Sequence, residues 1–197
     1  MSRIPTPVDI EDHRELPVSL LDLKEQCRVE HDDQDRLLLR ALLSATNEAE
    51  SYIGAPIMAR SFDLVLDSFP SGGIELTNGP VRSITSISYY DSAGSLQVLA
   101  AENYYLLTSR PFPIVFLAPD QSWPDTQSRE NAVTVRYVAG HAAKPSAVPA
   151  AIGQAIALRA ATRYEMSEES GTGTVAWKID DRLTFEALLN PFRNLHV

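Results

Sequence analysis

"HDDQDRLLLRALLSATNEAESYIGAP", residues 31–56, joins a dense run of ionisable side chains to the clearest periodicity in the chain. Leu38, Leu42, Ala45, Ala49, Tyr52 and Ile53 recur every three or four residues, the apolar stripe of an α-helix. Gly54 and Pro56 stop that helix. The acidic run falls where it starts. Asp32 takes the N-cap position, its carboxylate accepting from free backbone N–H groups. Asp33 and Asp35 follow in the first turn, where the helix dipole favours negative charge. The spacing therefore predicts a helix over about 33–54, capped by Asp32, Asp33 and Asp35.

The same run offers groups used in metal binding and acid–base chemistry. A calcium loop beginning at Asp33 needs an oxygen ligand at its fifth position and glycine at its sixth. Those positions are Leu37 and Leu38. His31 has no second histidine at i+4, and no cysteine cluster lies nearby. A metal-dependent hydrolase centred on His31, Asp32, Asp33 and Asp35 is accordingly the least favoured reading, and no metal or cofactor is expected.

Upstream, residues 1–16 mix prolines and charges without periodicity and read as an extended arm. Ser19 and Asp22 form a capping-box pattern, with Leu20, Leu23 and Cys27 at helical spacing, so a short helix is expected over about 19–27. Cys27 on that stripe reads as core rather than as a nucleophile.

Downstream, between about 57 and 139, the period falls from 3.6 to 2. Phe62, Leu64 and Leu66 alternate with Asp63 and Asp67, and Val133, Val135 and Tyr137 with Thr134 and Arg136. "SITSISYYDSAGSLQVL" (83–99) reads as a hairpin, with Asp91 and Gly94 at the first and last positions of a type I turn. Strands are also expected at 103–108 and 113–117, and a polar loop at 118–131. Tyr89–Tyr90 and Tyr104–Tyr105 are expected to turn one ring of each pair into the core; no basic residues interleave them as a nucleic-acid platform needs.

Helical spacing returns at Val148–Pro149, with proline in a tolerated first-turn position. A helix rich in small residues is expected over about 149–165, suited to close packing against a neighbour. Residues 166–178 read as a loop, and a last helix spans about 181–190. The fold class is α+β: a helical hairpin or bundle with an inserted antiparallel β unit at about 57–139. The 197-residue chain suits a single domain, here residues 17–197 beside the arm.

Composition narrows the function. The net charge is −9, and no third of the chain has a basic excess, which argues against phosphate-neutralising DNA binding. One cysteine excludes an internal disulfide framework, no apolar run approaches a membrane span, and the N-terminus does not read as a signal peptide. Nucleophile-elbow, phosphate-loop, zinc-protease and dinucleotide motifs are missing, and with them any positive reason to expect an enzyme. The histidines His13, His31, His141 and His196 are scattered. Phe192, Leu195 and Val197 place apolar side chains at the C-terminal end, where they fold back or meet a partner.

Taken in order, these segments resemble the head–tail connector, or adaptor, proteins of long-tailed double-stranded DNA bacteriophages, prophages and gene transfer agents. The resemblance rests on "PVSLLDLKEQCRVEHDDQDRLLLRALLSATNEAESYIG" (17–54), "PVRSITSISYYDSAGSLQVL" (80–99), "VTVRYVAGH" (133–141), "VPAAIGQAIALRAATRYE" (148–165) and "ALLNPFR" (187–193). It implies a virion structural protein in the neck, between capsid and tail, assembled in the bacterial host cytoplasm. Such proteins form a homo-oligomeric ring, commonly of twelve copies, beneath the portal protein. The ring extends the channel through which DNA passes without sequence-specific binding, and it meets a stopper or tail protein below. Portal docking in the family points to Leu188, Leu189, Pro191, Phe192 and Arg193; Leu195 and His196 extend that tail on their apolar and terminal character. Another neck or tail-completion protein, a stopper or terminator, is the alternative within the structural class.

Overall fold

A computed structural model describes residues 7–9, 15–108, 112–169 and 181–194. Among the described residues four α-helices and eight β-strands are arranged α+β, in the expected order. The chain divides into two compact units, cut at residues 13/14, 58/59 and 141/142.

The helical unit holds α1 (Leu20–Cys27), α2 (Asp35–Ile53), α3 (Ala150–Glu169) and α4 (Asp181–Leu189). α1 opens on the capping box read from sequence: Asp22 N–H donates to Ser19 Oγ at 3.0 Å, and Ser19 N–H to Asp22 Oδ2 at 3.3 Å. The stripe of α2 is buried as its period requires, with Leu38, Leu42, Ala45, Ala49 and Ile53 facing Leu23, Ile152, Ala155, Ile156, Ala160, Phe185 and Leu189. Each fully buried leucine or isoleucine among them contributes about 1.5–3 kcal/mol. Thr46, also buried, returns its hydroxyl to the Leu42 carbonyl at 2.9 Å, so its polarity is satisfied inside the helix.

Small residues let α2 and α3 approach closely. Ala45 and Ala49 on one helix and Ala155 and Ala160 on the other are fully buried. The small face of α3, expected to meet a neighbour, is therefore consumed largely within the chain. α3 also runs four residues past its expected end, to Glu169, into what was read as loop. The remainder of that loop, with its Gly-Thr-Gly, lies outside the described residues.

α2 ends on Gly54, whose φ of +71° is a left-handed cap that side chains resist. A Cβ there would stand 3.2 Å from the Asn194 carbonyl oxygen, so the position is closed on two counts.

The β unit contains a five-stranded antiparallel sheet in the order β1-β2-β8-β4-β5 and a three-stranded sheet β3-β7-β6. The strands are β1 (Val8–Asp9), β2 (Arg60–Leu66), β3 (Ile74–Glu75), β4 (Val81–Tyr90), β5 (Leu96–Val98), β6 (Tyr104–Leu107), β7 (Ile114–Leu117) and β8 (Val133–Ala139). Alternation sets the register. Phe62 and Leu64 of β2 pair with Tyr137 and Val135 of β8, and all four side chains are buried. The stretch read as an arm contributes an edge strand: Val8 pairs with Asp63 and Asp9 with Phe62, and the Arg60–Asp9 ion pair at 2.9 Å ties it down.

The hairpin forms at the expected residues. Gly94 N–H donates to the Asp91 carbonyl at 2.8 Å, closing the turn. Asp91 Oδ1 accepts from Ala93 and Ser95 N–H, and its Oδ2 from Gln97 Nε2 at 2.9 Å. These bonds, the Gln97 amide foremost, hold the Asp91 carboxyl below its ordinary pKa. Gly73 fits a close approach: a Cβ there would fall 2.4 Å from Ile114 Cγ2 and 2.9 Å from the Val115 oxygen. In the loop before β8, Trp123 stacks on Phe69 at 4.7 Å and donates Nε1–H to Gly72 O at 3.2 Å.

Candidate functional site

The start of α2 departs from its expected cap. The helix begins at Asp35, with Gln34 as N-cap and no side-chain capping bond. Asp32 lies before it, in a turn closed by Asp35 N–H on the Asp32 carbonyl at 3.1 Å. Its carboxylate accepts instead from Lys24 Nζ at 2.6 Å, and Asp35 Oδ1 accepts from the same ammonium at 2.8 Å. The reading of Asp32 and Asp33 as helix caps is thus corrected, while Asp35 does occupy the first turn. The physical reason is Lys24, eight residues upstream and across the α1–α2 corner: a cation outbids neutral N–H groups for these oxygens.

Lys24 titrates above its ordinary value because of Asp32 first and Asp35 second, and Asp32 titrates below its own because of Lys24. Asp33 remains exposed, with His31 Nδ1 3.9 Å from its Oδ2. Among the described residues no group of three His, Cys, Asp or Glu side chains comes together around a common point. Cys27 packs against the helical core, and burial, with Glu165 second, pushes its thiol pKa up, away from the thiolate a nucleophile needs.

The C-terminal tail is built onto α2. Asn190–Phe192 forms a 3-10 turn after α4. Tyr52 donates its hydroxyl to Asn190 Oδ1 at 2.7 Å, Arg193 lies 5.0 Å over the Tyr52 ring, and Asn194 N–H donates to the Ile53 carbonyl at 2.6 Å. Of the residues expected to dock a portal, Leu189 is fully buried in the core of its own unit, and Leu188 and Phe192 pack against that core. Leu189 is therefore corrected from docking contact to core residue. Pro191 and Arg193 are exposed, on either side of the half-buried Phe192. Leu195 and His196 lie outside the described residues.

A charged network behind the tail escaped the sequence reading. Glu48 of α2 accepts both Arg159 Nε at 2.9 Å and Arg159 Nη2 at 2.7 Å, a bidentate fork, and also Arg163 Nη2 at 2.6 Å. Arg163 further donates to Ser44, and the Arg159 guanidinium lies 5.5 Å over Phe185. Phe185 in turn meets Tyr52 edge-on at 6.1 Å. Glu48, Arg159, Phe185, Tyr52 and Arg193 thus form one continuous chain of contacts from α2 and α3 through α4 to the tail. Arg159 and Arg163 stand four apart on α3, which was a usable signal; their partner 111 residues upstream gave none.

The β unit presents a polar outer face. Arg136 makes a bidentate pair with Asp63, at 2.8 and 2.7 Å, on the face opposite the buried Tyr137. Tyr89 and Tyr104 pack into the core as expected of one ring from each pair, while Arg129 sits 4.2 Å over Tyr90 and Tyr105 is exposed. Strand β5 leaves Leu96 and Val98 exposed on the sheet edge.

Three comparisons bear on what this arrangement is. Residues 17–95 match the family model described as the phage gp6-like head-tail connector protein. The whole fold matches solved structures of gene transfer agent particles. The chain has the fold of chains in those particles. A chain in the neck of an empty gene transfer agent particle, computed with C6 symmetry, aligns at a TM-score of 0.74 and 21% identity, covering 98% of this chain and 97% of that one. A chain of the virion of the native particle aligns at 0.73 and 22%, over 97% and 96%. One from the native neck, computed with C12 symmetry, gives 0.68 and 22%, over 98% and 97%. No curated protein matches by sequence. The connector family model covers α1, α2 and strands β2 to β4; from β5 to the tail the likeness is carried by the fold.

Proposed function

We propose that this connector is a structural, non-enzymatic virion protein of the neck of a phage or gene transfer agent particle, forming a homo-oligomeric ring there. One observation carries the reading: the family match over 17–95 and the end-to-end match to neck chains converge on the same kind of protein. The finer reading is an adaptor ring of twelve copies, in keeping with the C12 neck, seated between portal and tail. A heterologous contact repeated around an axis closes such a ring. DNA passes through its channel unread, as suits an acidic chain. Pro191 and Arg193, with Leu188 and Phe192 as their support, are the part of the tail offered to the portal; Leu189 holds the tail in place.

The test is co-purification with the cognate portal protein, followed by counting of copies. A portal-bound ring that is lost on replacing Pro191 and Arg193 together supports the adaptor reading. A chain that binds a tail component and never a portal moves the assignment to the stopper or terminator class.

A further inference from the structure

The C-terminal segment carries a cation that is held in place with its donors unused. Arg193 is exposed, and its guanidinium lies 5.0 Å over the Tyr52 ring. Its backbone N–H closes the turn on the Asn190 carbonyl at 3.2 Å, so the residue is fixed at both ends. Other arginines that stand over rings also engage an oxygen: Arg60 that of Asp9, Arg129 the Glu130 carbonyl and Arg159 the Glu48 carboxylate. Among the described residues the Arg193 guanidinium makes neither a hydrogen bond nor an ion pair. The ring beneath it is itself anchored. Tyr52 donates to Asn190 Oδ1 at 2.7 Å and meets the buried Phe185 edge-on at 6.1 Å.

We infer that Arg193 binds a carboxylate of the portal and that Tyr52 is the positioning residue that presents it. The inference rests on the portal-docking reading above and names the chemistry of that contact. A guanidinium has five N–H donors and no acceptor, and a cation held over a ring keeps all five for a bidentate partner. An aspartate or glutamate side chain is favoured over a DNA phosphate, because a chain of net charge −9 does not draw DNA to itself. The stack explains why one surface arginine suffices. Ordering a long side chain opposes binding, and Tyr52 imposes that order before the portal arrives.

The experiment measures affinity of the full chain for immobilised cognate portal, using the unaltered protein, Arg193→Ala, Tyr52→Leu and the chain carrying both changes. Arg193→Ala weakens capture by at least about tenfold. Tyr52→Leu weakens it about two- to fivefold in the unaltered background, the worth of the lost stack, and adds nothing once Arg193 is gone. Thermal melts accompany each variant; a fold defect carries into both backgrounds, whereas a positioning defect does not. Substitution of portal acidic residues by lysine then locates the partner, the damaging one being rescued by Arg193→Glu. If the unaltered chain does not bind the portal, the docking reading fails and this contact with it. If the unaltered chain binds and Arg193→Ala binds equally well, this contact alone is overturned. An equal loss from Tyr52→Leu in both backgrounds would show that the ring does not act through Arg193. Failure of Arg193→Glu to rescue any portal lysine variant would overturn the carboxylate. Unchanged portal capture by Arg193→Ala, with weaker retention of duplex DNA, would assign the guanidinium to phosphate instead.

Discussion

The Arg193 guanidinium lies 5.0 Å over the ring of Tyr52, whose hydroxyl donates to Asn190 at 2.7 Å. Helix α2 thereby holds the segment that follows α4, and under the proposed function Arg193 both anchors that segment and stays exposed for the portal, while Leu189 only holds it. Leu189→Ala removes a fully buried side chain and costs about 2–5 kcal/mol of stability, measured by denaturant unfolding with no partner present. Pro191→Ala combined with Arg193→Ala gives up only the exposed Arg193–Tyr52 contact, so stability stays within about 1 kcal/mol, and the proposed portal capture falls. Equal loss of stability in both variants would contradict that difference between Leu189 and Arg193.

Glu48 gathers two arginines from α3 at 2.6–2.9 Å. Glu48→Ala leaves those cations half-buried and facing each other, and it destabilises the helical unit by about 1–3 kcal/mol. Replacing Arg163 alone costs less, because the Arg159 fork survives. The two variants are compared by thermal unfolding at low and high salt; identical losses would contradict a network centred on the fork.

The Lys24–Asp32–Asp35 cluster fixes a pH dependence. Lys24 holds the Asp32 pKa below its ordinary 3.8. A depressed carboxyl stabilises the fold above its unfolded pKa and loses that contribution as pH falls through the folded value. The effect therefore appears only below about pH 4. Lys24 itself is raised above 10.5, so its share persists until strongly alkaline pH. Lys24→Met should flatten the acid limb of a plot of melting temperature against pH; an unaltered limb would show that the ammonium does not hold these carboxylates in solution.

His141 acts in a different window. Burial pushes its pKa below the ordinary 6.5, because the charged imidazolium is disfavoured there. The unfolded chain takes up the proton first, so stability is complete above about pH 6.5 and falls on acidification. His141→Gln should abolish that fall between pH 7 and 5. Persistence of the fall would assign it to another group.

Gly54 gives a backbone test. Alanine at φ +71° meets left-handed strain and crowds the Asn194 oxygen, costing about 1–2 kcal/mol. Tail capture should weaken alongside, which is checked by amide hydrogen exchange at Asn194. Gly54→Ala with unchanged stability and exchange would contradict the closure of tail on cap.

These positions also show where sequence is informative. The stripe from Leu38 to Ile53, the capping box at Ser19 and the Asp91–Gly94 turn were legible because each depends on neighbours within a few residues. Asp32 was misread for the opposite reason: its partner is Lys24, which only the corner between α1 and α2 brings within 2.6 Å. Leu189 looked like a docking residue because a leucine near a chain end is ambiguous until the core it enters is known. The Glu48 fork, the edge strand at Val8–Asp9 and the small face of α3 used within the chain are likewise products of long-range pairing, which period and spacing do not encode.

The most direct test of the neck assignment is native mass spectrometry of the purified protein with its cognate portal. A portal-bound homo-oligomeric ring is the expected result, of twelve copies if it follows the C12 neck. A monomer that ignores the portal at every concentration tried would contradict it.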